Sequence, residues 1–208
     1  MLEIDGLCKS YGGRRVLEPV RFFLPEGQCI GVVGENGSGK STLLRLLAQI
    51  EPPDSGDIRF RGRSVLGDRH FFRRCVGYVP QHNDLLQDLT VDQQLKIWQS
   101  ACGLDHNLCR ELDDLLGIGP MRKKRIRDLS GGMQRRVSIA MALMGDPRIL
   151  IMDEATTGLD RDYRQALLCW LEDYLVGGGR MIWCTHDPEE LDRLCGDRIR
   201  ICQGRLVR

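Results

Sequence analysis

Residues 34–42 read GENGSGKST. The five residues before them, Cys29-Ile30-Gly31-Val32-Val33, form a short apolar run of the kind that makes a buried strand. The six after, Leu43-Leu44-Arg45-Leu46-Leu47-Ala48, carry the apolar face of a helix. A glycine-rich turn between a strand and a helix is the setting in which the pattern G-x-x-x-x-G-K-[ST] cradles phosphate. Gly34, Gly37 and Gly39 let the backbone turn tightly and bring its N–H groups close to phosphate oxygens. The helix N-terminus adds free N–H groups and a partial positive charge. Lys40 is placed to reach terminal phosphates and the Ser41 hydroxyl to ligate Mg²⁺, with Asn36, Ser38 and Thr42 in the same nucleotide-holding stretch. With glycine at about 7% of residues, the four fixed positions arise by accident in roughly one chain of this length in a hundred. The strand and helix flanks make accident rarer still, so a bound nucleotide is the expectation.

The chain of 208 residues is 42% hydrophobic and 28% charged, enough for one α/β domain with a sizeable core and room for a subdomain. A net charge of +1 provides no overall basic field, so nucleic acid is not an expected partner. Nine cysteines (8, 29, 75, 102, 109, 169, 184, 195 and 202) show no C-x-x-C pair and mostly lie in apolar runs. They read as reduced core thiols in a reducing compartment, with a metal site as the alternative. The start, MLEIDG, lacks a basic-then-apolar leader, and no apolar run approaches the roughly 20 residues that span a bilayer. The chain is expected to be soluble on its own, with any membrane part supplied by another polypeptide.

Residues 2–7 alternate apolar and polar as an edge or half-buried strand does. Lys9-Ser10-Tyr11-Gly12-Gly13 reads as a turn, and 16–24 as a strand that Pro19 assigns to an edge or a bend. Tyr11 either stacks on a purine base or is partly buried packing, and taken alone it favours packing. Pro52-Pro53-Asp54-Ser55-Gly56 turns the chain into a short strand at 57–61, and a basic stretch at 69–74 leads to the strand Cys75-Val76-Gly77-Tyr78-Val79. Gln81, after Pro80, is either a polar residue leaving a sheet or an amide that reaches Mg²⁺ or a water near phosphates.

From Asn83 the pattern turns helical. Thr90-Val91-Asp92-Gln93 is a capping box that opens a helix to about 101, stopped by Gly103. A second helix spans 108–116 and is broken by Gly117-Ile118-Gly119-Pro120. This insert, at roughly 83–130 between two strands, reads as a helical subdomain. Five of the six residues 122–127 are basic, which reads as a solvated face in preference to a contact for an acidic partner or nucleic acid. Leu129-Ser130-Gly131-Gly132-Met133-Gln134 then opens a long helix to about 144. Ser130 can cap it and two glycines permit close approach of a phosphate, although plain capping would leave the same pattern. Arg135 and Arg136 are assigned to its polar side, and Ile139, Leu143 and Met144 to the core.

The wholly apolar Ile149-Leu150-Ile151-Met152 reads as a central parallel strand, and it ends in Asp153-Glu154. Ligands of open α/β sheets bind at that strand end. Asp153 suits Mg²⁺, directly or through water, and Glu154 can orient or deprotonate an attacking water. An amphipathic helix over 161–176 ends at Gly177-Gly178-Gly179. The next strand, Met181-Ile182-Trp183-Cys184, finishes at Thr185-His186, where the histidine can donate to a terminal phosphate. Asp187-Pro188-Glu189-Glu190 starts a helix, and residues 199–202 and 206–207 close the chain as a hairpin.

Taken together these segments resemble the nucleotide-binding subunit of an ABC transporter over essentially the whole chain. The motifs stand in order: GENGSGKS at 34–41, a glutamine loop at Gln81, LSGGM at 129–133, ILIMDE at 149–154, TTGLD at 156–160, a switch histidine at His186 and an aromatic-loop residue at Tyr11. The resemblance implies an α/β P-loop NTPase core with a mixed or parallel sheet and an N-terminal antiparallel β subdomain. The core comprises 1–82 and 146–208, and an inserted helical subdomain with the signature segment covers about 83–145. It implies ATP and Mg²⁺ as ligands, with Ser41, Gln81 and Asp153 at the metal and Lys40, Gln81, Glu154 and His186 acting in hydrolysis. Tyr11 would stack on the base. Two subunits, identical or related, would pair head to tail, so that Ser130, Gly131 and Gly132 meet the nucleotide of the other copy and Asp160 sits at the seam. Gln81 would link the metal site to the helical insert and so to separate membrane permease subunits, from the cytoplasmic face.

Two departures, Met133 for a common Gln and Ala155 for a common Pro, remove no group with a chemical role. The chain stops soon after His186, with the expectation of no added regulatory domain, and no membrane segment is fused. The stretch 88–95 and the form LSGGMQRR are similar to ATPases of ABC-2-type and related small exporters, so export is expected over import. The alternative is a soluble ABC ATPase of an assembly or nucleic-acid pathway.

Overall fold

The computed structural model describes residues 1–67, 72, 74–103 and 110–207. Two sheets organise it. The first is antiparallel, in the order β2–β1–β4–β5, from β1 (Leu2–Tyr11), β2 (Arg14–Leu24), β4 (Ser55–Phe60) and β5 (Arg63–Ser64). The second runs β10–β9–β3–β8–β7–β6, from β3 (Cys29–Val33), β6 (Val76–Val79), β7 (Ile149–Asp153), β8 (Arg180–Cys184), β9 (Asp197–Cys202) and β10 (Arg205–Val207). All its pairings are parallel except the closing hairpin β9–β10. The expected mixed α/β fold with an antiparallel N-terminal sheet is therefore what forms.

The central strands β3, β7 and β8 are buried on both faces and almost wholly apolar, whereas β9, Asp197–Cys202, alternates buried and exposed positions. Side chains of a strand alternate between faces, and here they divide between two cores. Leu150, Met152, Met181 and Trp183 face one cluster with the helices α2 (Val91–Cys102), α3 (Arg110–Leu116), α4 (Gly131–Leu143), α5 (Arg161–Val176) and α6 (Pro188–Leu194). Ile149, Ile151, Ile182 and Cys184 face the other, with α1 (Lys40–Leu47) and the antiparallel sheet. The helices α2, α3 and α4 lie between β6 and β7 in the chain.

Several expected boundaries move. The first strand continues to Tyr11, and only Gly12 and Gly13, at φ 55° and 79°, make the turn. Pro19 sits within β2, an outer strand, where a missing N–H costs no ladder bond. The fourth strand starts at Ser55. The capping box of α2 forms in full: Thr90 Oγ1 accepts from Gln93 N at 3.3 Å, and Gln93 Oε1 accepts from Thr90 N at 2.9 Å. Gly103 ends that helix at φ 62°. The helix expected over 108–116 is seen from Arg110; Cys109 and most of the basic stretch at 69–74 lie outside the described residues. In the basic run, Arg122 pairs with Asp92 and Asp113 and Arg127 with Asp88, while Lys123, Lys124 and Arg125 are exposed, as a solvated face requires.

Two expectations fail. Of the eight described cysteines only Cys8, Cys29 and Cys184 are buried, and Cys169 and Cys202 are exposed, because a position inside an apolar run on a half-solvated strand or helix points outward as readily as inward. Cys29 and Cys195 approach to 3.2 Å between sulfurs. Arg135 and Arg136 are not on a polar side: they are 3% and 8% exposed. Arg136 lies 3.9 Å over the ring of Tyr163 and donates to Leu116 O at 3.1 Å. Arg135 faces inward to carbonyls of the central sheet, described below.

Candidate nucleotide site

Because β3, β8, β7 and β6 are parallel neighbours, their C-terminal ends share one edge. The loop at 34–39 follows β3, Thr185 and His186 follow β8, Asp153 and Glu154 end β7, and Pro80 and Gln81 follow β6. At roughly 4.8 Å per strand this gathers four chemically distinct segments along one edge.

The loop is shaped by positions that exclude a side chain. Gly34 holds φ 153°, and a Cβ there would come within 2.2 Å of Ile201 O and 2.9 Å of Ser38 Oγ. Gly39, at φ 109°, is the N-cap of α1 without a side-chain cap, which leaves the first helical N–H groups free. The closing hairpin buttresses the loop from behind, through Gly204 N to Ser38 O at 2.9 Å. Lys40 is buried, and its ammonium donates to Gly34 O at 2.7 Å and Glu35 O at 2.9 Å, inside the turn. Ser38 Oγ is buried with no hydrogen-bond partner.

At the end of β7, Asp153 is 2% exposed, lines a cavity at this edge, and its Oδ2 has no hydrogen-bond partner. Glu154 holds φ 53°, a left-handed conformation that costs about 1–3 kcal/mol in a residue with a side chain. Its N–H donates to Cys184 O at 2.8 Å, across to β8. Its Oε1 lies 3.3 Å from His186 Nε2 without hydrogen-bond geometry, and Thr157 Oγ1 approaches Oε2 at 3.4 Å. Burial pushes the Glu154 carboxyl above its ordinary value; nearby His186 opposes this and Asp153 adds to it.

His186 itself is 62% exposed, but the turn that carries it is fixed from beneath. Thr185 Oγ1 donates to the buried Glu190 at 2.8 Å and accepts from Asp187 N at 3.1 Å. Asp187 caps α6 by accepting from Glu189 N at 2.9 Å, and Arg164 of α5 pairs with both Asp187 and Glu190.

Two cavities open at this edge. One, of about 830 Å³, is lined among others by Glu154, Thr157, Gly158, Thr185 and His186. The other, of about 710 Å³, includes Ser41, Arg45, Tyr78, Gln81, Trp98 and Asp153 in its wall. The structure thus brings Ser41, Gln81 and Asp153 around one space and Glu154 and His186 around the next. Residues 34–40 and Thr42 line neither cavity, and three further expected groups stand apart. Tyr11 is 41% exposed and its hydroxyl donates to Glu51, beyond the C-terminal end of α1, a helix roughly 12 Å long by its rise per residue. Ser130, Gly131 and Gly132 line neither cavity: Ser130 caps α4 by accepting from Met133 N at 3.2 Å, and a Cβ on Gly132 would meet Gly158 O at 2.3 Å. Asp160 occupies the N-cap position of α5, exposed and without a side-chain cap bond.

Sequence reasoning missed Arg135, Arg164, Thr185 and Glu190. A signal for the first was present. Neighbouring residues on a helix diverge by about 100°, so Arg135 and Arg136 meet different surroundings. Arg135 stands four residues before Ile139 and therefore on the apolar stripe.

The family model described as ABC transporter matches residues 17–157. This chain belongs to the ABC transporter family. The matched span of this ABC chain holds the loop at 34–42, Gln81, Ser130 to Gly132, Asp153 and Glu154. Among curated proteins it is 38% identical to a Nod factor export ATP-binding protein I of Ralstonia nicotianae, over 100% of this chain and 66% of that protein. It is 39% identical to the protein of the same name from Paraburkholderia xenovorans, over 99% of this chain and 69% of that one. The chain thus spans about two thirds of the length of these relatives. A solved ATP-binding subunit of an ABC transporter is 27% identical, with a TM-score of 0.91 over 99% of this chain and 88% of its own. A dimeric bacterial ABC transporter cassette superposes with a TM-score of 0.87 at 24% identity, over 100% of this chain and 97% of its own, and shares the fold.

Proposed function

We propose that this chain is the ATP-binding and ATP-hydrolysing subunit of an ABC exporter, driving separate membrane permease subunits from the cytoplasmic face. The observation that carries the chemistry is the orphaned Asp153 Oδ2 beside the strained Glu154, on the same sheet edge as the phosphate loop. Lys40 exchanges the carbonyls of Gly34 and Glu35 for the terminal phosphates. Free N–H groups at the start of α1 take the remaining phosphate oxygens. Ser41, Gln81 and Asp153 share one cavity wall and would hold Mg²⁺, which neutralises phosphate charge when bound. Mg²⁺ leans on substrate phosphates more than on a protein cage, so these three groups would complete its shell together with phosphate oxygens and water.

Glu154 takes the proton of the attacking water, and His186, facing it at 3.3 Å, donates to the terminal phosphate. Asn36, Ser38 and Thr42 complete the nucleotide-holding stretch, and Tyr11 leaves Glu51 to stack on the base. Ser130, Gly131 and Gly132, at the start of α4, serve the ATP of a second copy, with Asp160 at the seam. Residues 1–82 and 146–208 act as the core and about 83–145 as the helical subdomain that transmits its movement. Export follows the relatives, which are named for it.

Glu154→Gln tests the chemistry. Turnover is expected to fall by about 10²–10⁴-fold, the usual contribution of a general base, with ATP affinity kept within a few fold. Near-normal turnover would overturn the assignment.

A further inference from the structure

Arg135 is the most deeply buried arginine of α4, and its guanidinium is spent on the backbone of other segments. Its Nε donates to Ala155 O at 2.9 Å and one terminal nitrogen to Asp153 O at 2.7 Å. The other terminal nitrogen donates to Pro80 O and to Asn83 Oδ1, the latter at 3.2 Å. Four of the five N–H donors that a guanidinium carries are accounted for by these bonds.

The choice of acceptors is specific. Asp153 O and Ala155 O are the carbonyls on either side of Glu154, the residue held at φ 53°. A planar fork that fixes both neighbours leaves the intervening residue little freedom to relax to negative φ. The remaining acceptors, at Pro80 and Asn83, bracket Gln81. No acceptor is a carboxylate, so the group is not paired as an ordinary ion bridge; burial lowers its pKa to about 10, with the charges of Asp153 and Glu154 opposing that fall. A buried cation with neutral partners is costly to keep, and a bolt that merely joined α4 to the sheet could be apolar. The same helix begins at Ser130–Gly132, five residues before Arg135. One side chain therefore ties the helix start, the Gln81 turn and the backbone of Glu154 into one rigid piece.

We propose that Arg135 is a positioning residue for ATP hydrolysis, holding Glu154 in its strained backbone conformation and locking that conformation to the Gln81 turn and the signature helix. This rests on the reading of Glu154 as the residue that acts on water. The test uses the whole chain carrying Arg135→Gln, Arg135→Lys, Glu154→Gln, and Arg135→Gln with Glu154→Gln together. Melting, affinity for ATP and kcat are measured for each. Misplacing a reacting group by about 1 Å costs on the order of 100-fold in rate. Folded Arg135→Gln and Arg135→Lys are expected to bind ATP within a few fold of the parent, with kcat down by roughly 10–100-fold. Lysine keeps the charge without the fork, so a lost kcat in an Arg135→Lys that melts with the parent separates positioning from simple support. The double variant is expected to be no slower than Glu154→Gln alone, since residues acting through one another are not additive.

Normal kcat in folded Arg135→Lys would overturn the proposal, and so would losses that multiply in the double variant. If neither Arg135 variant folds, Arg135 is a structural bolt and the proposal falls. Near-normal turnover in Glu154→Gln overturns instead the assignment on which it rests.

Discussion

Gly34 meets two demands at once: φ 153° lies where side chains strain, and the space a Cβ would fill is taken by Ile201 O and Ser38 Oγ. Gly34→Ala must therefore shift the backbone of either the loop or β9, and the loop is the part without a ladder. Binding of a fluorescent ATP analogue is expected to weaken by more than about tenfold, since 1.4 kcal/mol suffices for that factor. Unchanged affinity would show that the loop adapts. Positions of this kind were legible beforehand, because a backbone that must approach phosphate dictates its residue types locally: Gly34, Gly39, Lys40 and Ser41 could be named from nine letters. Arg135 could not be placed that way. Its partners are carbonyls of residues 80, 153 and 155, and a carbonyl carries no mark in a sequence. The charge suggested water, and the tertiary fold supplied backbone oxygen in its place. Tyr11 shows the same limit: its place in the chain was evident, whereas the Glu51 carboxylate that holds its hydroxyl lies 40 residues on.

Among the elements, α6 shows how a turn bearing an exposed histidine can be stiff. The Arg164 guanidinium holds the Asp187 carboxyl below its ordinary range, aided by the N–H groups of Glu189 and Glu190. A carboxylate whose folded pKa is depressed adds stability that is whole above the unfolded value, near 3.9 for Asp, and is lost as pH falls through the folded one. Asp187→Asn is therefore expected to unfold more easily in urea at about pH 7, yet to lose less stability than the parent as pH falls below about 4. Parallel acid limbs in the two proteins would refute that account. The N-cap itself was readable from Asp187-Pro188, just as the α2 capping box was from Thr90 and Gln93, since a helix start is chosen by side chains within four residues. The ends of β1 and β4 shifted because a strand stops where its neighbour stops, and β1 has β2 on one side and β4 on the other.

At the scale of the molecule, the C-terminal ends of β3, β8, β7 and β6 share one sheet edge, and the start of α4 at Ser130–Gly132 lines neither of the cavities there. No helix among the described residues is long and apolar enough to cross a membrane. If the chain powers an exporter, tagging it in its host and extracting membranes in mild detergent should co-purify a multi-span protein in fixed ratio. A soluble partner, or nucleic acid with no membrane protein, would sink the transport reading and leave the ATPase one standing. The buttress behind the phosphate loop has a consequence for how the protein is made. Gly34 and Gly39 leave the ribosome early, but the strand and hairpin they lean against, around Ile201 and Gly204, are about 165 residues further on. At about 5–20 residues per second, that is a wait of roughly 8–33 seconds. Until those residues are made, the nascent chain carries the loop at 34–39 without its back wall.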